Sequence, residues 1–370
     1  MSVNALNKLK AYDPNIKETD LSDGFIEIYN QGELGSCAIN AFCALFNYEL
    51  VRALGMAQPK TSIAQNNCLS MFMLSCIRNG TSTNYECTIV DEAKRNKYKD
   101  IEPFRPSRYY LYYYACTRNN NNINPDDFKD GGGSNIGLII EKVAKYGILE
   151  ELPNENNNRW QLEKSFDDPL TKTEKEDKIK ELTDKIAQKE KEKDKVNFEK
   201  NKPSDYQNKI NEINADIAKM NKLINNYRNL NIYSNINLSS SEEIKKAYKW
   251  KDKVIASNIS INNDTIRQYL QNSKPILIGM CFNQIGLFDQ LTTIDPSDIT
   301  QKAGHMMVIV GYDDLKDNKK GAYKVRNSWG ASWGKKGYCY LSYDFFNDDA
   351  SKIKITSLNI INIDLDNYLA

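Results

Sequence analysis

The sequence predicts an α+β fold: a mainly helical part over residues 25–170, a β-rich part over 231–370, and an antiparallel helical hairpin inserted at 171–230. Residues 1–24 read as an N-terminal extension or short prosegment. Three observations carry this. Apolar residues recur at helical spacing over 37–50 and 136–146. From Ile255 they gather instead into short runs bounded by turn residues. Between these regions the composition changes to Lys, Glu, Asn and Ile, with almost no small or aromatic residues.

The 370 residues, 40% apolar, suffice for one or two substantial cores. Fifty Lys and Arg against 49 Asp and Glu leave a formal charge of +1, which supplies no field to concentrate nucleic acid or an anionic membrane. Neither is an expected partner. Met1 to Lys10 lacks the apolar run of a signal peptide, and no window approaches the roughly 18 apolar residues of a membrane span, so an intracellular, cytoplasmic protein is expected. Eight cysteines (37, 43, 68, 76, 87, 116, 281 and 339) read as free thiols, since a disulfide framework belongs to small secreted chains. The chain has one histidine, His305, and no CxxC pair. Zinc-hydrolase motifs need two or more imidazoles or clustered thiolates, so no metal and no cofactor is expected.

In chain order, Phe25 to Tyr29 reads as a short extended lead-in, and Asn30 to Gly35 as a loop. A helix follows, with Ser36 placed to cap it, Cys37 in its first turn, and Ala38, Ile39, Ala41, Phe42, Leu45, Phe46 and Leu50 facing a core. Helical patterns recur over Ile63–Cys76 and Pro106–Thr117, the latter rich enough in tyrosine to be core, and Asn119 to Asn122 form a loop. Gly131 to Gly133 lead into a helix at Ile136–Tyr146 that Gly147 stops. In the insert, Ile179, Leu182 and Ile186, then Tyr206, Ile210, Ile213, Ile217, Met220, Ile224 and Tyr227, fall three and four apart. Pro203 and Ser204 mark a turn between the two stripes. Neither helix buries its stripe alone, so the two pack on each other. A passive solvated hairpin and a partner-binding or gating one both fit this pattern. Strands are expected at Pro275–Gly279, Met306–Val310, Tyr323–Val325 and Tyr338–Leu341, with the tail, Ile353 to Leu365, adding another to a small barrel or sandwich.

Four residues in this frame suggest chemistry. A thiol attacks a carbonyl as thiolate, which a helix N-terminus and a nearby imidazolium favour. Cys37 has the helix start, with Gly32 and Gly35 to turn the chain into it, and its backbone N–H can face a developing oxyanion. Gln31, six residues earlier, offers a side-chain amide for the same purpose. His305 stands between Gly304 and a strand. Asn327 opens Asn-Ser-Trp-Gly, and an asparagine that accepts from the ring N–H aims an imidazole without adding a charge. Trp329 is placed to shield that bond from water. Each residue alone has an ordinary structural reading; their conjunction points to nucleophilic catalysis by a thiolate–imidazolium pair, active in a pH window set by two ionisations.

The segments QGELGSC (Gln31 to Cys37), Gly304-His305 with VIVGYD (Val308 to Asp313), and NSWGASWGKKG (Asn327 to Gly337) resemble, in that order, the motifs of the papain and cathepsin family of cysteine peptidases. The resemblance implies two domains, one helical and one a β-barrel, with the active site in the cleft between them. It further implies hydrolysis of a polypeptide substrate through a thioester acyl-enzyme. By position, Gly132, Gly133 and Ser134 would hold the substrate backbone, Gly279 and Ala303 would face the pocket reading the second residue before the cut, Gly304 would also bind substrate, and Trp333 would line the primed side. Leu34 stands where secreted relatives carry a disulfide cysteine and Ala38 where they carry tryptophan. With Asn40 and Ala41, these resemble the family's non-secreted bacterial and viral branch. His305 follows Cys37 by 305 − 37 = 268 residues, against roughly 130 to 150 in the family. The insert supplies about 60 of the excess, and surface insertions cost little closure entropy. The alternatives are a thioester-based transpeptidase, or a restrained or inactive papain-like protein that uses the hairpin for partner binding or self-inhibition.

Overall fold

The computed structural model describes residues 9–32, 35–57, 87–116, 134–151, 172–198, 206–228, 241–281, 293–295, 304–347 and 355–369. The expected helix at Ile63–Cys76, the loop at Asn119 to Asn122, the glycines 131–133, the turn at Pro203 and Ser204, and Ala303 lie outside the described residues.

The chain enters along the sheet. Strand β1 (Glu18–Asp20) pairs antiparallel with Gly311 to Asp313. A Cβ at Gly311 would lie 2.3 Å from the Thr19 carbonyl oxygen, so only glycine admits this approach. Before β1 the segment is tied down by polar bonds: the Lys10 carbonyl accepts from Gln268 and Asn272, and the Ile16 carbonyl from the Tyr312 hydroxyl. Phe25 to Tyr29 joins no strand ladder. The Arg326 guanidinium takes up the carbonyls of Ile26 (2.9 Å) and Glu27 (2.5 Å) instead.

Helix α1 (Cys37–Ala53) is buried from Ala38 to Val51, so that beyond the expected core-facing positions the polar Asn40, Asn47 and Glu49 are buried as well. Ser36 holds the N-cap position but makes no side-chain capping bond, contrary to expectation. Its Oγ accepts from Asn40 Nδ2 (2.9 Å), which turns it away from the helix's first N–H groups. A small ribbon of β2 (Met56–Ala57) and β3 (Thr88–Ile89) leads to α2 (Glu92–Lys97), capped by Asp91, whose carboxylate accepts from Lys94 N. Helix α3 (Arg108–Cys116) starts two residues later than expected, because Pro106 pairs in a bridge with Glu150 and Ser107 Oγ accepts from Tyr110 N. Helix α4 (Ile136–Tyr146) has its expected bounds, with Asn135 as cap and Gly147 (φ 76°) as stop. A Cβ on Gly147 would sit 1.8 Å from the Ala247 carbonyl oxygen.

Helices α5 (Lys172–Phe198) and α6 (Tyr206–Arg228) lie antiparallel, with Val196 packed on Ile210 and Ile213, and Lys189 3.4 Å from Asp216. Lys189 stands three residues after Ile186, where the apolar stripe would continue. The two acidic neighbours Asp216 and Glu192, each at 3.4 Å, take up its charge at the seam's edge.

The second part comprises α7 (Ser241–Tyr248), β4 (Val254–Asn258), α8 (Asn263–Gln271), β5 (Ile276–Cys281), β6 (Thr293–Ile294), β7 (Gly304–Asp313), α9 (Lys316–Lys319), β8 (Ala322–Arg326), β9 (Tyr338–Ser342), α10 (Asp344–Asn347), β10 (Ile355–Ile363) and α11 (Leu365–Leu369). The strands form one sheet in the order β4-β10-β5-β7-β8-β9-β6, with β1 joining β7 beyond the end of β5. The tail strand β10 is interior, paired antiparallel to both β4 and β5. Strand periodicity explains the layering. On β7, Met306, Val308 and Val310 face the core shared with α1, while Met307, Ile309 and Tyr312 face a second core under α8. One sheet thus carries the helical layer on one side and the second apolar core, covered by α8, on the other. No helix among the described residues is long and apolar enough to cross a membrane.

Candidate active site

Packing α1 onto β7 brings the first turn of α1 to the first residues of β7. Cys37 is half-buried there, and the backbone N–H groups of Met306, Ala38 and Cys37 itself point at its sulfur. The N–H of Met306 belongs to the peptide that joins it to His305, so the thiol and the histidine share one corner. His305, 8% exposed, is the second residue of β7, and its Nε2 lies 2.8 Å from Asn327 Oδ1. Asn327 follows the last residue of β8, and its Oδ1 also accepts from the backbone N–H of Ser328 at 2.8 Å. A backbone N–H only donates, so the asparagine oxygen faces Ser328 and the ring, and Nε2 must carry the proton. That leaves Nδ1 as the ring's basic nitrogen. Trp329 lies 4.7 Å from the imidazole, ring centre to ring centre, and Trp333 meets Trp329 edge-on at 5.2 Å.

Gln31 is buried and joined to the same turn. Its backbone N–H donates to the Ser328 carbonyl (2.8 Å), and its Oε1 accepts from Ser328 Oγ (2.5 Å). Asn30 and Trp329 form an antiparallel bridge beside it, and Gly330 N donates to the Tyr29 carbonyl. The loop after β8 therefore binds both the histidine and the segment leading to the nucleophile.

The electrostatics favour neutral partners when each is taken alone. Burial pushes the Cys37 thiol up, partly offset by the three backbone N–H groups. Burial also pushes His305 down to about 4, against the pull of the Asn327 hydrogen bond. A lone thiolate or a lone imidazolium is thus disfavoured, and the charged forms are reached together, by passing the thiol proton to the ring.

Two buried arginines at this site were not anticipated from the sequence. Arg108 Nη2 donates to Glu151 Oε1 (2.9 Å) and Nη1 to Asn40 Oδ1 (3.3 Å), and the guanidinium lies 3.9 Å from the centre of the Tyr29 ring. Asn40 in turn donates to the carbonyl (3.0 Å) and hydroxyl of Ser36, the residue before the nucleophile. Arg326 grips the lead-in as described above. The available signal was a charge inside an aromatic helix pattern and a charge next to Asn327.

Of the residues expected to bind substrate, Gly132, Gly133 and Ala303 lie outside the described residues. Ser134 stands just before the cap of α4, its buried Oγ without a partner among the described residues. Gly279 is interior to β5, where a Cβ would meet Ser357 Oγ at 2.7 Å, Thr356 Oγ1 at 2.8 Å and the Met306 methyl at 3.7 Å. Gly304 is exposed, with nothing within 4 Å of a would-be Cβ. Among the described residues no group of three His, Cys, Asp or Glu side chains is placed to hold a metal.

The sequence model of the papain family cysteine proteases matches residues 206–357, a span that begins at the start of α6 and holds His305 and Asn327 but not Cys37. Gamete and mating-type specific protein A of Dictyostelium discoideum is 45% identical over 38 residues, 10% of this chain and 8% of that protein's length. Among solved structures, xylellain, a cysteine protease from Xylella fastidiosa, is 16% identical with a TM-score of 0.47, over 96% of this chain and 90% of its own. Digestive procathepsin L 3 from the larval midgut of Tenebrio molitor is 12% identical with a TM-score of 0.43, over 97% and 75%. By the family match over its second part, and by the thiol, histidine and asparagine motifs that stand in family order, this chain is similar to the papain family of cysteine proteases.

Proposed function

We propose that the chain is an endopeptidase that cuts polypeptides through a thioester acyl-enzyme, with Cys37 as nucleophile, His305 as base and then acid, Asn327 orienting the ring, and Gln31 with the Cys37 N–H holding the oxyanion. The observation that carries this reading is the 2.8 Å bond from His305 Nε2 to Asn327 Oδ1, which turns Nδ1 into the basic nitrogen at the corner shared with Cys37. The thiol proton passes to Nδ1 as sulfur attacks the scissile carbonyl, so that thiolate and imidazolium arise as a pair. The imidazolium then protonates the departing amine, and a water molecule, deprotonated by the same nitrogen, hydrolyses the thioester and restores the thiol. Trp329 over the ring keeps the orienting bond away from water. Gly279, Gly304 and Trp333 belong to the substrate cleft in this reading, together with Gly132, Gly133, Ser134 and Ala303. An intracellular setting is part of the proposal, because Leu34 replaces the disulfide cysteine of secreted relatives.

The test is release of fragments from a labelled unfolded protein substrate by the full chain and by Cys37→Ala and His305→Ala. Internal cuts that vanish in both variants support the proposal; cutting that survives Cys37→Ala contradicts it. A second reading, a restrained enzyme, is favoured by the burial that holds both partners in their neutral forms. In that reading the α5–α6 hairpin is the restraint or a partner's contact, and deleting 171–230 raises the rate of the same assay.

A further inference from the structure

Ser36 stands where a helix cap would, yet it is held out of that role. A capping side chain accepts from the second or third N–H of its helix, from a backbone that is usually extended. Ser36 is not extended (ψ 14°), and its Oγ accepts from Asn40 Nδ2 at 2.9 Å instead. The same Nδ2 donates to the Ser36 carbonyl at 3.0 Å, as does Asn40 N, also at 3.0 Å. Asn40 is 1% exposed, and the end of its amide that faces Ser36 is set from behind. A guanidinium only donates, so Oδ1 turns to Arg108 Nη1 (3.3 Å) and Nδ2 to Ser36. Glu151 Oε1, 2.9 Å from Arg108 Nη2, fixes the arginine in turn. The second N–H of α1 is that of Ala38, and it points at the Cys37 sulfur. A capping hydroxyl would compete for it.

We propose that Asn40, oriented by Arg108, is a positioning residue for the nucleophile: by engaging Ser36 it keeps α1 uncapped and leaves the Ala38 N–H to hold the Cys37 thiolate. The inference rests on the nucleophilic role proposed for Cys37 above. The arrangement gives up the stabilisation of a side-chain cap and keeps a donor for the negative charge that the sulfur develops. Arg108, buried and out of reach of substrate, acts on the thiol only through this amide.

The experiment follows alkylation by iodoacetamide against pH, read at Cys37 by peptide mapping, with hydrolysis of a peptide substrate measured alongside. It compares the full chain, Asn40→Ala, Asn40→Leu, Ser36→Ala, and each Asn40 variant combined with Ser36→Ala. Either Asn40 variant carries the test, since Leu keeps the branched shape without the amide. Both are expected to raise the pH of half-maximal alkylation by about one unit, roughly 10-fold in rate on the acid side, the scale of one hydrogen bond to a charged group. Removing the hydroxyl as well is expected to return each double variant to the midpoint of Ser36→Ala, because nothing is left to claim the Ala38 N–H. A midpoint unmoved by the Asn40 variants overturns the inference. So does a shift that persists in full in the double variants, since it places the effect in a loosened turn and not in capping. Failure of the full chain to cut the peptide, with the midpoints as expected, overturns the peptidase reading instead and leaves Asn40's hold on the thiol standing.

Discussion

His305 is the chain's one histidine, which makes its burial measurable without assigning signals among several rings. The experiment is set in Cys37→Ala, where the imidazole has no thiol with which to exchange a proton. In the folded state burial pushes the ring from 6.5 down to about 4. The unfolded chain takes up a proton as pH falls below about 6.5, and the folded chain does not until about 4. Across that window the unfolded state binds more protons, so stability falls as pH falls. At about 1.4 kcal/mol per pKa unit the whole gap is worth about 3 kcal/mol, of which about 2 kcal/mol accrues between pH 7 and 5. Above about pH 6.5 the contribution is fully present; below about 4 no more is lost. Urea unfolding of Cys37→Ala and of Cys37→Ala/His305→Gln at pH 7, 6 and 5 reads this difference, because the remaining groups titrate alike in both. The first chain is expected to lose about 2 kcal/mol more than the second. Parallel losses in the two chains, or an imidazole NMR titration centred near its ordinary value in folded Cys37→Ala, would refute the reasoning.

Other outcomes follow from individual contacts. Asn327→Ala removes the acceptor at 2.8 Å from His305 Nε2 and is expected to lower kcat by about 10- to 100-fold; an unchanged kcat removes the orienting role. Gly147→Ala places a Cβ where the Ala247 carbonyl oxygen is 1.8 Å away, at φ 76°, and should cost about 3 kcal/mol in urea unfolding. A loss below about 1 kcal/mol would show that the turn relaxes freely. Arg108→Met strips the partner from Glu151 and Asn40, and its expected signature is a lower unfolding midpoint together with slower Cys37 alkylation, since Asn40 also holds Ser36.

The parts of the fold most open to sequence reasoning were those with strong local signals. Helix α4 has an asparagine cap and a glycine stop, both local devices, and its observed bounds match the pattern. All but the first residue of the run Pro275–Gly279 falls within β5, and all of Met306–Val310 within β7, because strands buried on both faces are continuously apolar. Strand order was not legible. The interior place of β10 comes from burial on both faces, Leu358 and Ile360 on one and Ile361 on the other, and no local pattern states which neighbours a strand will find. Ser36 shows a local rule yielding to a tertiary one, since a cap-forming residue at the right position is engaged by Asn40. At the site, Cys37, His305, Asn327 and Gln31 were named from motif chemistry. Ser328, Arg108 and Arg326 act through partners 297, 68 and 300 residues away in the chain, a distance across which no periodicity speaks.

The most direct test of the central claim, that Cys37 is a nucleophile activated by His305, is covalent labelling with an epoxide inhibitor of papain-like enzymes, read by intact mass and peptide mapping. One adduct on Cys37 is expected in the full chain, and it should be lost or strongly slowed in His305→Ala. The half-exposed thiol of Cys281 serves as an internal control, because it begins no helix and should stay unlabelled. Labelling of Cys281 in preference to Cys37, or labelling of Cys37 at an undiminished rate without His305, would contradict the account.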